Sequence, residues 1–304
     1  MSQQINNFLF NKYRFNQLIF VAVQASLFTI FWLLLTNNFQ WWQYVLFFIL
    51  NCGVLSYHLN LVHLASHGLL GKNKILNSIL GNISAIFGGL TLADFKTTHA
   101  LHHANALNTE KDPDYSIANS ISFLTMPFKI WHHDRYFWTK KLWEKQNNWI
   151  GYIFDRTAQV TIISFLALNG YLSLWVYFWL VPMLVVGVLN GMFLFYFPHY
   201  LTNTEKKFRS VLGIETNYKL PHIKANNILE WFNIKYKILT LLSINISRIY
   251  HEKHHDKISE NENFYPISGY LISKVNGSWD NLTTNYQLKY TLEEGPLGKR
   301  IFDN

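Results

Sequence analysis

Residues 15–71 contain no Asp, Glu, Lys or Arg, and residues 157–204 again contain none. These two silences limit the possible folds more than any motif does. One membrane-spanning helix needs about 20 mainly apolar residues, so each run has room for two helices and a turn. A helix buried in a large soluble core is the competing reading. Surface helices of soluble proteins carry charge on their outer face, and this chain has little to offer. Only 14% of its residues are charged and 50% are hydrophobic, where a soluble domain is about 25% charged.

The first run divides into expected spans at 17–36 and 44–64. Asn37-Asn38 makes the turn, and Trp41 and Trp42 suit an interfacial aromatic belt. The second run divides near 158–172 and 175–196, with Asn169-Gly170 as the turn. A third charge-free stretch, 75–93, is barely long enough to span and contains Gly81, Gly88 and Gly89. It reads as a re-entrant or interfacial segment. Residues 238–249 are apolar but include Ser243, Asn245, Ser247 and Arg248, so they read as amphipathic. The expected fold is an all-α integral membrane protein with about four transmembrane helices in two hairpins, plus cytoplasmic or interfacial helices. The whole of 1–304 is expected to form one membrane-embedded domain.

Two hairpins return the chain to its starting side. The 26 basic residues then fall into three parts on that side: two in 1–16, ten in 72–156 and fourteen in 205–304. Positive residues favour the cytoplasmic side, so both termini are expected there. The formal charge of +8 does not point to nucleic acid, because the ten basic residues are mixed with seven acidic ones and the fourteen with eleven. Anionic lipid headgroups suit such a surface better. A lone cysteine, Cys52, excludes an intramolecular disulfide. No cleavable-signal pattern opens the chain.

The histidines are grouped. His63 and His67 stand four apart. His99, His102 and His103 form one triplet, and His251, His254 and His255 another. On a helix, residues four apart share a face, so each group can aim imidazoles at one point. A single His-x-x-x-His on an apolar helix is often a core pair, and one His-x-x-His-His is only stronger. Here the charge-derived topology brings all three groups to one membrane face, together with His199, which follows Pro198 at the end of the last span. Imidazole suits zinc, copper, iron and nickel. One tetrahedral zinc needs three or four protein ligands, so eight or nine histidines are enough for two ions with open positions. A redox pair beside lipid suits oxygen activation, and iron suits it better than copper because no Cys and Met ligand set is present. Asp112 and Asp114 read as acceptors for imidazole N–H groups that fix the tautomers of ligating rings, or as turn residues around Pro113. His132 and His133 read as an interface feature, His58 as turned away from His63, and His222 as structural.

Taken together, the three boxes resemble those of the membrane fatty-acid desaturase superfamily, which includes carotenoid hydroxylases and ketolases. Asp112-Pro113-Asp114 after the second box is similar to the family pattern, and Phe197-Pro198-His199-Tyr200 resembles an element of the carotenoid branch. The resemblance covers roughly 40–260, leaving 261–304 as a tail. It departs from the pattern at Leu64, where an acid is common, and after His255, where many relatives are rich in Pro and aromatic residues.

The resemblance implies two non-haem iron ions held by the box histidines, O2 as co-substrate and a lipid substrate. It also implies an electron donor such as ferredoxin, or cytochrome b5 with its reductase. Desaturation of a fatty-acyl chain is the expected reaction, with hydroxylation or ketolation of a carotenoid as the alternative. A non-catalytic metal-binding or transport protein is the reading from another class. It would call for ionisable groups at mid-span; none is found there, and the histidines lie at span ends.

Overall fold

The computed structural model describes residues 12–105, 111–114, 126–141 and 149–190. Every regular element among them is helical. Two compact units divide the chain: 1–100 with 127–188, and 101–126 with 189–304.

Helix α1 spans Lys12–Thr36 and α2 spans Trp41–Ser66. The Asn37-Asn38 turn falls where expected: Asn37 N and Nδ2 both bond back to Leu33 O. Gln43 Oε1 then accepts from Gln40 N at 2.8 Å to start α2. At the far end of α2, Gly68 has φ of 74°. Its N–H reaches Ala65 O, and Leu69 N reaches Leu64 O. This paired closure needs a left-handed residue just past the helix, a conformation glycine adopts without penalty. It leaves His67 as the last residue before the reversal. The loop that follows is tied down by Asn16, which donates to Leu69 O at 2.9 Å, and by Asn77, whose Oδ1 accepts from Leu70 N at 3.0 Å.

Helix α3, Lys74–Phe87, starts at Asn73, whose side chain accepts from Leu76 N. It packs on α2 at closest range through Gly81, where a Cβ would lie 2.6 Å from that of Ala65. Gly89, with φ of 69°, ends α3 by the same closure as Gly68. Helix α4, Leu92–Asn105, then leaves at an angle of 101° to α3. The stretch expected to be re-entrant or interfacial is therefore a helix, an elbow and the start of a second helix.

A 3-10 turn at Met126–Trp131 leads into α5, His132–Tyr136, and a π-helical turn at Phe137–Lys141. Helix α6 is Trp149–Leu168. Helices α7, Leu172–Trp175, and α8, Val181–Asn190, run on through a π-helical turn at Val176–Leu180. Gly170 closes α6 as expected of the Asn169-Gly170 turn, but α6 starts well before residue 158 and takes in Asp155 and Arg156. Both side chains bond to distant partners, Asp155 to Leu92 N and Arg156 to Asp134, so the edge of the charge-free run is not the edge of the helix.

Among the described residues, three helical stretches are long and apolar enough to cross a membrane: Asn16–Thr36, Trp41–Ser66 and Leu172–Leu189. The bent pair α3 and α4 brings the number to four if it counts as one span. Helix α6, which holds most of the span expected near 158–172, is not among them. The apolar face turned inward joins Phe20 and Val23 of α1 to Leu55, Leu59 and Val62 of α2, with Ala85, Phe95 and Met183. The outward faces are apolar too, with Val21, Trp32, Ile49, Val160 and Phe165 all exposed. Apolar surface on this scale belongs in contact with lipid.

Candidate metal centre

The first histidine box occupies the last turn of α2 and its cap. His63 is buried, and His67 is half-buried at the reversal set by Gly68. Helix α4 brings His99 against both. The ring centroids lie 4.9 Å apart for His63 and His67, 4.5 Å for His63 and His99, and 4.9 Å for His67 and His99. Nε2 of His67 is 3.0 Å from Nε2 of His99. One ring nitrogen from each of the three falls within 4.8 Å of the others. Phe95, one turn before His99, stacks on its ring at 5.2 Å and meets His63 edge-on. His103 follows His99 by one turn of the same helix.

This arrangement fits a metal. Two imidazole nitrogens about 2.1 Å from one ion, at roughly a right angle, would lie ~3 Å apart. Ligation also needs neutral imidazole, and burial pulls His67 down to about 4, so it stays neutral at physiological pH.

His102 has other partners. Its ring is almost fully buried, and Nδ1 lies 2.8 Å from Asp112 Oδ1 and 3.4 Å from Asp114 Oδ2. The same Asp112 oxygen accepts from Asp114 N at 2.9 Å, across Pro113. Asp112 thus both turns the backbone and faces an imidazole, the two alternatives open to it from the sequence. A carboxylate at Nδ1 fixes the proton there and leaves the Nε2 lone pair for a ligand. Burial, with Asp112 as a neighbour, raises Asp114 to about 7, against the opposing pull of His102.

His132 and His133 are both buried, so they are not the interface feature expected of them. Thr98 donates to Asp94 O at 2.8 Å, which leaves its oxygen to accept from His133 Nδ1 at 2.6 Å. His133 also lies against Phe95, at 4.8 Å. Helix α5 is therefore packed against the helix of the second box.

His58 is fully buried within α2, beside Phe87 and outside the metal-type cluster. Asp94 is also wholly buried, in the bent pair of α3 and α4. His199, His222, His251, His254 and His255 lie outside the described residues.

Sequence reading missed one polar cluster, made of Asp94, Asp134, Tyr152, Asp155, Arg156 and Gln159. Its only linear trace is an acid, a base and a Gln at helical spacing on the otherwise apolar α6. Arg156 Nη2 meets Asp134 Oδ1 at 2.5 Å, and Tyr152 donates to the same oxygen at 2.9 Å. Burial raises Asp155 to about 6 despite its bond from Leu92 N and the charge of Arg156.

Apolar helices clad in outward hydrophobic surface point to a membrane protein, and its histidine clusters could hold a metal. The family model described as "Fatty acid desaturase" matches residues 39–258, and the chain belongs to that family. Membership makes it an oxidoreductase of the desaturase or hydroxylase type. No curated protein and no solved structure matches the chain.

Proposed function

We propose that this protein is a membrane di-iron oxidoreductase that uses O2 to introduce a double bond into a fatty-acyl chain. The observation that carries the reading is the convergence of His63, His67 and His99 from two helices, with a 3.0 Å approach between the last two. With His102 and His103, and with His251, His254, His255 and His199 from outside the described residues, they would hold the iron. Bound iron would supply O2 activation and abstraction of hydrogen from an unactivated C–H bond.

The chain's own residues do the rest. Phe95 covers one face of the His99 ring and limits water there. Asp112 holds the His102 proton at Nδ1. The net reaction takes two hydrogens from the acyl chain and reduces O2 to two waters with two further electrons and two protons. Those electrons would come from a carrier such as ferredoxin, or cytochrome b5 with its reductase. The distribution of basic residues supports placing both termini and the histidine boxes on the cytoplasmic side, where such a donor can reach them.

A second reading, hydroxylation or ketolation of a carotenoid, is favoured by the Pro198-His199 element. Lipid and pigment profiling of a host expressing the chain separates the two. A new acyl double bond supports desaturation, and an oxygenated carotenoid supports the second reading. An unchanged profile in a host supplying both substrates and both donors would sink both.

A further inference from the structure

Breaking a helix in an apolar setting exposes backbone groups that must find partners. At the elbow between α3 and α4 those partners are side chains. Arg156 Nη1 donates to Gly89 O at 3.2 Å and to Gln159 Oε1 at 2.6 Å. Gln159 Nε2 donates to Leu90 O at 2.7 Å. On the other side of the break, Asp155 Oδ2 accepts from Leu92 N at 2.9 Å, the first N–H of α4. Two adjacent residues of α6 thus serve opposite helix ends. The cation sits at the C-terminus of α3 and the carboxylate at the N-terminus of α4, and each charge matches the helix dipole it meets. Arg156 is in turn anchored by Asp134, beside the His133 that bonds Thr98 of α4.

We propose that Asp155, Arg156 and Gln159 form a clamp that sets the direction of α4 and so act as positioning residues for His99. The positioning of a metal ligand rests on the di-iron reading, whereas the clamp itself does not. The lever arm explains the need. His99 lies seven residues beyond Leu92, about 10 Å along the axis at 1.5 Å per residue, so a tilt of about 10° at the elbow moves it by ~2 Å. Metal–ligand distances tolerate only about 0.2 Å. An elbow free to flex by a few degrees would scatter His99 beyond that range.

The test uses the full chain in lipid nanodiscs, with Cys52→Ala and spin labels at Ile79→Cys on α3 and Lys96→Cys on α4, both exposed positions. The distance distribution between labels reports the elbow without any metal. Asp155→Ala and Gln159→Leu should broaden it, while Asp155→Asn, which keeps an oxygen for Leu92 N, should restore the narrow form. In the same proteins without labels, Fe(II) affinity should fall by about tenfold in Asp155→Ala, within the range lost when groups that orient ligands are removed, and recover in Asp155→Asn. An unchanged distribution in both Asp155→Ala and Gln159→Leu overturns the clamp. A broadened distribution with undiminished iron affinity overturns the positioning of His99. Failure of the unaltered chain to bind iron would instead overturn the di-iron reading, and the spin-label distances would still decide the clamp.

Discussion

Nε2 of His67 and Nε2 of His99 approach to 3.0 Å, although thirty-two residues separate them in the chain. Without an ion, one nitrogen must carry a proton toward the other. With an ion, both lone pairs turn to it. The unaltered protein should therefore contain about two irons per chain, as imidazole sets of this size allow. His63→Ala, His67→Ala and His99→Ala should each lower the iron content and abolish turnover while membrane insertion persists. Elemental analysis of purified protein checks this, and one zinc with no iron in the unaltered protein would contradict it.

The Asp112 carboxylate serves both His102 Nδ1 and Asp114 N. Asp112→Asn keeps an acceptor but loses the charge, and Asp112→Ala loses both contacts. Metal affinity should fall in the order unaltered, Asn, Ala, with the Ala variant weaker by about 10- to 100-fold. Competition titration with a chelator measures the order, and equal affinities across the three would remove Asp112 from any orienting role.

Gly81 and Gly53 form a matched pair for packing. A Cβ at Gly81 would press on Ala65 Cβ at 2.6 Å and on Leu92 Cδ2 at 2.9 Å, whereas one at Gly53 meets nothing within 4 Å. Gly81→Ala should destabilise by about 1–3 kcal/mol through overpacking. Gly53→Ala, inside α2, should be neutral or stabilise by up to about 1 kcal/mol. Unfolding of both in detergent, followed by circular dichroism, would show the two changes moving in opposite directions or, against this account, together.

Burial draws His67 from its ordinary value down to about 4. Between that value and about 6.5 the unfolded chain binds the extra proton and the folded chain does not. The stability linked to His67 is therefore complete above about 6.5 and is lost as pH falls toward 4. Metal-free protein should melt at lower temperature across that window, and His67→Gln should flatten the dependence. An identical pH profile in the two proteins would assign the acid sensitivity to other groups.

Much of the scaffold was readable from local pattern. The charge-free runs located α1, α2 and the stretch from α7 to α8. Asn37-Asn38 and Asn169-Gly170 located turns, and the spacing of His99 and His103 placed them on one helical face. These are properties of short stretches: apolar periodicity, the φ that glycine allows and the 3.6-residue turn. The readings that failed involved polar groups whose fate depends on distant partners. His133 was read as an interface residue, yet it is buried against Thr98 and Phe95. Helix α6 was read as starting after its charges, yet it includes them.

The sequence alone thus determined which segments are helical and apolar, and which imidazoles could act together along one helix. Only the tertiary structure decided that His63, His67 and His99 meet, and that Asp155 and Arg156 sit at the two sides of the α3–α4 elbow. The reason is electrostatic. A histidine's partner, or the cost of burying a charge, depends on groups within a few ångströms, and here those groups lie 32 residues away for His67 and more than 60 for Asp155. No local pattern records such separations.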